Sequence, residues 1–221
     1  MGRRVKGSTL GLITGKVGTV IIKQWRGIET VQSLPHWKKG KRICSDDQIE
    51  QQVLFKSLSQ FLNHSQSAIR LGFQLPKKAE MTPMNAALSY HLLNTVTGTF
   101  ENWSIDYNKV KFSRPIHRID NGWNIQFGVD EASVLQVTWE LNPFPEKTTL
   151  NSDQAVIVYH SQRLARMRLA TANTPRSAMV FKLPVVLTLE ADEINCWAYF
   201  ISADKKRVSE TKYLGTISIQ I

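Results

Sequence analysis

The chain has 221 residues, enough for one or two domains with a buried core and no disulfide scaffold. Hydrophobic residues make up 42% and charged residues 21%, a globular composition that excludes disordered, collagen-like and low-complexity chains. No apolar run reaches about 18 residues, so no membrane-spanning helix is expected.

Lys and Arg number 28 against 18 Asp and Glu, a formal charge of +10. Residues 1–42 hold ten of the basic groups and a single acid, Glu29, for a net of +9. The remainder carries 18 basic and 17 acidic groups and is close to neutral. Basicity is therefore a property of the N-terminal segment. Such a segment suits a phosphate backbone, an anionic lipid surface or an acidic protein face, and it also suits a merely solvated surface.

That segment reads as a Gly-rich β-arm. Over residues 7–37, β-branched residues (Val17, Thr19, Val20, Ile21 and Ile22, then Ile28, Thr30 and Val31) form two runs separated by Arg26-Gly27, the pattern of a twisted hairpin. Lys38, Lys39, Gly40, Lys41 and Arg42 follow as an exposed connector. Gly11 to Gly18 imitates a phosphate loop and fails as one. The glycine spacing is one residue short, Val17 stands where a Mg²⁺-binding hydroxyl is needed, and β-branched residues follow where a helix is required. Arg3, Arg4 and Lys6 could imitate the start of a secretory signal, but Lys16 and glycines break the next apolar stretch. No signal peptide is expected.

A helical pair comes next. Ser45-Asp46-Asp47-Gln48 fits a capping box, and Val53, Leu54, Leu58, Phe61, Leu62 and Ile69 recur at helical spacing. Thr82-Pro83 marks a second helix start, leading through Ala86, Ala87, Leu88, Leu92 and Val96 toward Gly98. Period-two alternation then returns at Trp103, Ile105 and Tyr107 and again at Trp123, Ile125, Phe127 and Val129. Asp120-Asn121-Gly122 lies between, so the sequence predicts a β-hairpin turning at Asn121-Gly122. From residue 133 onward about seven short strands predict a β-sandwich of immunoglobulin or fibronectin-III type, with Leu135, Val137, Trp139 and Tyr159 facing inward. The fold class expected is α+β and β-dominated. Three segments are drawn: the arm at 1–42, a helical pair with a hairpin at 43–132, and the sandwich at 133–221.

No catalytic constellation is evident. The five histidines show no metal spacing, and Cys44 and Cys196 form no CxxC pair. Cys44 has cations nearby but no identifiable base beside it. No catalytic residue, cofactor or metal is assigned, and the chain is read as non-enzymatic. What stands out is cations interleaved with indoles. Lys16, Lys23, Trp25, Arg26, Trp37, Lys38, Lys39, Lys41 and Arg42 are the candidate interaction residues, with chemistry used at nucleic-acid stacking platforms and at protein hot spots alike.

The order Gly15-Lys16-Val17-Gly18-Thr19-Val20, Trp25-Arg26-Gly27, Ser33-Leu34-Pro35, a Gln-rich first helix ending in Phe61-Leu62, Thr82-Pro83-Met84-Asn85-Ala86 and Ile105-Asp106-Tyr107 resembles an uncharacterised family of about this length found in Bacteroidetes. The resemblance implies a bacterial, mobile-element-linked protein and carries no catalytic residue or cofactor. The chain departs from the family pattern at Thr14, where serine is usual, and at Ile22-Lys23, where a glycine is usual. The second change makes the arm more β-like and more basic.

Two functions are expected. In the first, the arm docks on another copy or on a protein partner, because it has apolar residues and too little local chain to bury them. The alternative is nucleic-acid binding by the same basic segment. A glycan- or peptide-binding sandwich displaying Trp197 and Tyr199 is a third reading. The protein is expected to work in the cytoplasm or in an assembled particle.

Overall fold

The computed structural model describes residues 3–4, 13–25, 28–34, 44–76, 81–99, 102–130, 134–170, 174–183 and 192–219. Two compact units divide the chain at Ser45/Asp46.

The first unit is an antiparallel sheet in the order β1-β2-β3-β4, with β1 at Arg3–Arg4, β2 at Ile13–Val17, β3 at Val20–Trp25 and β4 at Ile28–Ser33. β2 and β3 join through Gly18-Thr19, where Gly18 takes φ +59°. Glycine at the first central position is what a two-residue turn matched to strand twist requires. The expected hairpin is thus part of a four-stranded antiparallel meander, whose link at 5–12 lies outside the described residues. The connection at Arg26-Gly27 lies outside the described residues.

The second unit begins with α1 (Asp46–Asn63), α2 (Gln66–Gly72) and α3 (Pro83–Asn94). The single first helix expected to run to Ile69 is two helices. At the break, the Ser65 hydroxyl and amide both donate to Leu62 O, at 2.8 and 3.0 Å, which turns the chain. α3 starts as expected, with Asn85 N donating to Thr82 Oγ1 at 3.2 Å and proline in the first turn. It stops at Asn94, short of Gly98, because Val96–Thr97 (β5) leaves the helix to pair with Ser104–Ile105 (β6).

The remaining strands are β7 (Trp123–Val129), β8 (Leu135–Glu140), β9 (Gln154–Ser161), β10 (Arg166–Ala170), β11 (Val180–Lys182), β12 (Asp192–Ile201) and β13 (Lys212–Ile219). They make two antiparallel sheets, β10-β9-β12-β13 and β11-β8-β7. Residues 184–191, within the stretch where about seven strands were expected, lie outside the described residues. The expected hairpin at Asn121-Gly122 does not form, since β7 pairs with β8 and β6 with β5. Asn121 is held differently: its carbonyl accepts from Arg176 Nη1 at 2.9 Å and its side-chain oxygen from Ser209 Oγ at 2.6 Å. Gly122 serves close packing, for a Cβ there would stand 2.9 Å from Ile125 Cγ1 and 3.0 Å from Phe200 Cε2.

The four-stranded sheet is covered on both faces. Val156, Val158, Trp197, Tyr199 and Ile201 pack with Leu58, Leu62, Ile69, Ala87 and Phe112 of the helical region. Ile157, Tyr159, Ile194, Cys196 and Phe200 pack with Val137, Trp139 and Phe181 of the three-stranded sheet. Residues 43–132 and 133–221, read as separate segments from the sequence, therefore share cores. Trp197 Nε1 donates to Tyr107 O at 3.0 Å and the Tyr199 hydroxyl to Ala68 O at 2.8 Å, fastening sheet to helices without stranding a polar atom. The architecture is α+β with β-structure dominant. Among the described residues no helix is long and apolar enough to cross a membrane.

Candidate interaction surface

The register of the arm sorts its side chains into two faces. Val17 stands opposite Val20 and Ile22 opposite Val31. With side chains alternating along each strand, these four β-branched residues share one face. Lys16 stands opposite Ile21 and Lys23 opposite Thr30 on the other face, where Thr30 Oγ1 donates to Lys23 O at 3.2 Å. Gly15, opposite Ile22, takes φ +112°, a conformation that favours glycine. It leaves the apolar face without a side chain at that point.

None of the described side chains of this unit is buried. Val17 is 47% and Val31 52% exposed. The sheet therefore has β-branched patterning without the burial that ordinarily accompanies it.

Of the residues singled out from the sequence, Lys16 and Lys23 are exposed and lie on the same face. Trp25 ends β3, opposite Ile28 in the register, and its side chain lies outside what is described. Arg26, Trp37, Lys38, Lys39, Lys41 and Arg42 also lie outside the described residues. The face made by Val17, Val20, Ile22 and Val31 was not singled out, although period two along β3 and β4 contains it.

Other constellations in the second unit have structural partners. Arg176, 2% exposed, donates from Nη1 to Asn121 O and from Nη2 to Asp120 O at 2.6 Å, stands 3.7 Å from Asp153 Oδ2, and stacks 4.2 Å from the Phe200 ring centre. Burial pushes the Asp153 carboxyl above its ordinary value, opposed by a hydrogen bond from Leu150 N and by the Arg176 charge. His91 is fully buried on α3. It donates from Nδ1 to Ala87 O at 2.6 Å and accepts from Lys111 N at Nε2 at 3.2 Å, and burial lowers its pKa to about 4. Cys196 is buried and burial pushes its thiol up, which removes nucleophilic character. Trp197 and Tyr199, expected on an exposed binding face, are fully buried. The helices cover the sheet face that they occupy, so the glycan- or peptide-binding reading loses its aromatics. Among the described residues no three His, Cys, Asp or Glu side chains converge as a metal site.

Residues 12–215 match the profile of DUF6266, a family of unknown function. No curated protein matches the chain.

Proposed function

We propose that this chain, which belongs to the DUF6266 family of unknown function, is a non-enzymatic interaction protein that self-assembles or docks on a protein partner through its N-terminal arm. The observation that carries the reading is the arm sheet itself, whose described side chains are all at least partly exposed while Val17, Val20, Ile22 and Val31 share one face. A small sheet without a buried face is marginal in water, and four exposed or half-exposed β-branched residues gathered on one face, beside Gln24, Glu29 and Ser33, suit a contact surface. The two lysines on the opposite face, Lys16 and Lys23, leave the β-branched face as the one able to meet another surface without burying an ammonium group.

The body is the larger unit, residues 46–221. We read its two packed sheets, β7, β8 and β11 against β10, β9, β12 and β13, as a sandwich of fibronectin-III type. The strand order and the inward placement of Leu135, Val137 and Trp139 support that reading. Removal of residues 1–42 tests the function: the molar mass by light scattering should fall to that of a monomer. An equal oligomeric state with and without the arm would overturn the proposal.

A second reading rests on Lys16 and Lys23 standing exposed on one face within a segment of charge +9. A nucleic-acid surface of this kind predicts binding to short DNA that weakens steeply as salt rises, through counterion release. Affinity independent of salt, or no affinity at low salt, would sink it.

A further inference from the structure

Two cavities of about 630 and 610 Å³ lie along α3, each within the roughly 300–1,000 Å³ range of ligand sites. They have different chemistry and a common wall. Lys111, Arg114 and Tyr90 line the first together with Phe73 and Ala86. Leu54 and Phe55 of α1 and Leu88 and Leu92 of α3 line the second. Ser89 and Leu93 line both. Leu93 is 81% exposed, Phe55 50% and Met81, at the first cavity, 45%. A solvated helix surface would carry polar residues at such positions.

The cations at one end are available. Among the described residues neither Lys111 nor Arg114 has a carboxylate partner. Glu210, the acid lining this cavity, is 3.9 Å from Arg118. Lys111 Nζ stands 5.7 Å from the Tyr90 ring centre, a contact compatible with a further anionic partner.

The backbone that carries both cations is held in place. Lys111 N donates to buried His91 Nε2. Arg114 N donates to Gly72 O at 3.0 Å and Arg114 O accepts from Gln74 N at 3.1 Å. The approach at the end of α2 is so close that a Cβ on Gly72 would fall 2.2 Å from Phe112 O. A fixed backbone leaves only side-chain freedom to be lost when a charged contact forms.

We propose that the two cavities are one binding site for an elongated amphiphile with a single anionic head, carboxylate or phosphate. The head is held by Lys111 and Arg114. The apolar chain passes Leu93 into the cavity between α1 and α3. The site lies within the second unit, and the inference does not depend on the role of the arm.

The test uses the full chain titrated below micellar concentrations with decanoate, decyl phosphate, decanol and decylamine. Calorimetry gives the affinity and amide chemical shifts give the location. Decanoate or decyl phosphate should bind at least tenfold more tightly than decylamine and shift amides of residues 84–94 and 111–114. Whichever anion binds more tightly identifies the head group, and either result supports the site. The double variant Lys111→Met/Arg114→Gln should lose roughly a hundredfold in anion affinity, about tenfold per charged contact. It should keep the affinity for decanol, which also reports an intact fold. Leu93→Asn should weaken all four probes. Equal binding of decylamine, unchanged anion affinity in the double variant, or shifts confined to other regions would each overturn the proposal.

Discussion

The arm sheet and the central sheet of the body are both antiparallel, four-stranded and rich in β-branched residues, yet they differ in what they bury. In β9 and β12 nearly every side chain is buried, because helices cover one face and the three-stranded sheet the other. In β2, β3 and β4 none of the described side chains is buried. Strand propensity is the same kind of signal in both places, since it measures fit to a pleated surface more than stability of that surface. Stability comes from the apolar area removed from water, about 1.5–3 kcal/mol per large side chain fully buried. On the proposed reading, the body supplies the folding energy and the arm supplies contact. Substitutions in the two regions should therefore separate stability from association.

The largest effect is expected in the body, at Arg176. Arg176→Met removes the donors to Asp120 O and Asn121 O and leaves the buried Asp153 carboxyl without its cation. Stranding one member of a buried pair costs about 3–5 kcal/mol. Urea unfolding should show a loss of this size with an unchanged denaturant slope. A loss below about 1 kcal/mol would mean that the segment at 120–122 is anchored by other contacts.

How much of this was legible in the sequence depended on how many faces each element buries. β8 covers the core with one face, so Leu135, Val137 and Trp139 alternate with Gln136 and Thr138 and the strand could be read with its orientation. β12 is buried on both faces. Its run from Ile194 to Ile201 reveals a strand and conceals which residues face what, and so Trp197 and Tyr199 were expected at the surface. Asn121-Gly122 misled for another reason. The dipeptide is ideal for a tight turn, but here a distant arginine and the Phe200 ring claim it, and long-range demands of that kind leave no local pattern. Lys111 and Arg114 stand 18 and 21 positions beyond Leu93, and only the folded chain brings them to one cavity. On the arm, by contrast, the two faces follow from simple alternation once the Gly18-Thr19 turn sets the register.

A smaller effect should appear with pH. Burial holds His91 neutral with a pKa of about 4, against about 6.5 in an unfolded chain, and burial lowers His160 as well. The unfolded state then binds more protons than the folded state as pH falls below about 6.5. Stability therefore declines on acidification toward pH 4. His91 alone accounts for up to about 3 kcal/mol across the whole window and about 2 kcal/mol between pH 7 and 5. Unfolding free energies at pH 7, 6 and 5 measure it, in a range above most carboxylate titrations. In His91→Gln the slope over that range should flatten to the His160 contribution. An unchanged slope would place the titration elsewhere.

The smallest effect on stability should come from the arm. Val31→Lys places an ammonium group on the β-branched face at a position already 52% exposed. Surface changes of this kind usually alter unfolding free energy by no more than about 0.5 kcal/mol. In an interface the same ammonium group must be desolvated or expel the partner. Light scattering should therefore show a lower molar mass at unchanged urea midpoint, while Lys23→Gln on the opposite face should leave both where they were. If Val31→Lys changes neither mass nor midpoint, the β-branched face is simply solvated. If instead it lowers the unfolding free energy by more than about 1 kcal/mol, the arm takes part in the fold, and the division of labour between the two sheets fails.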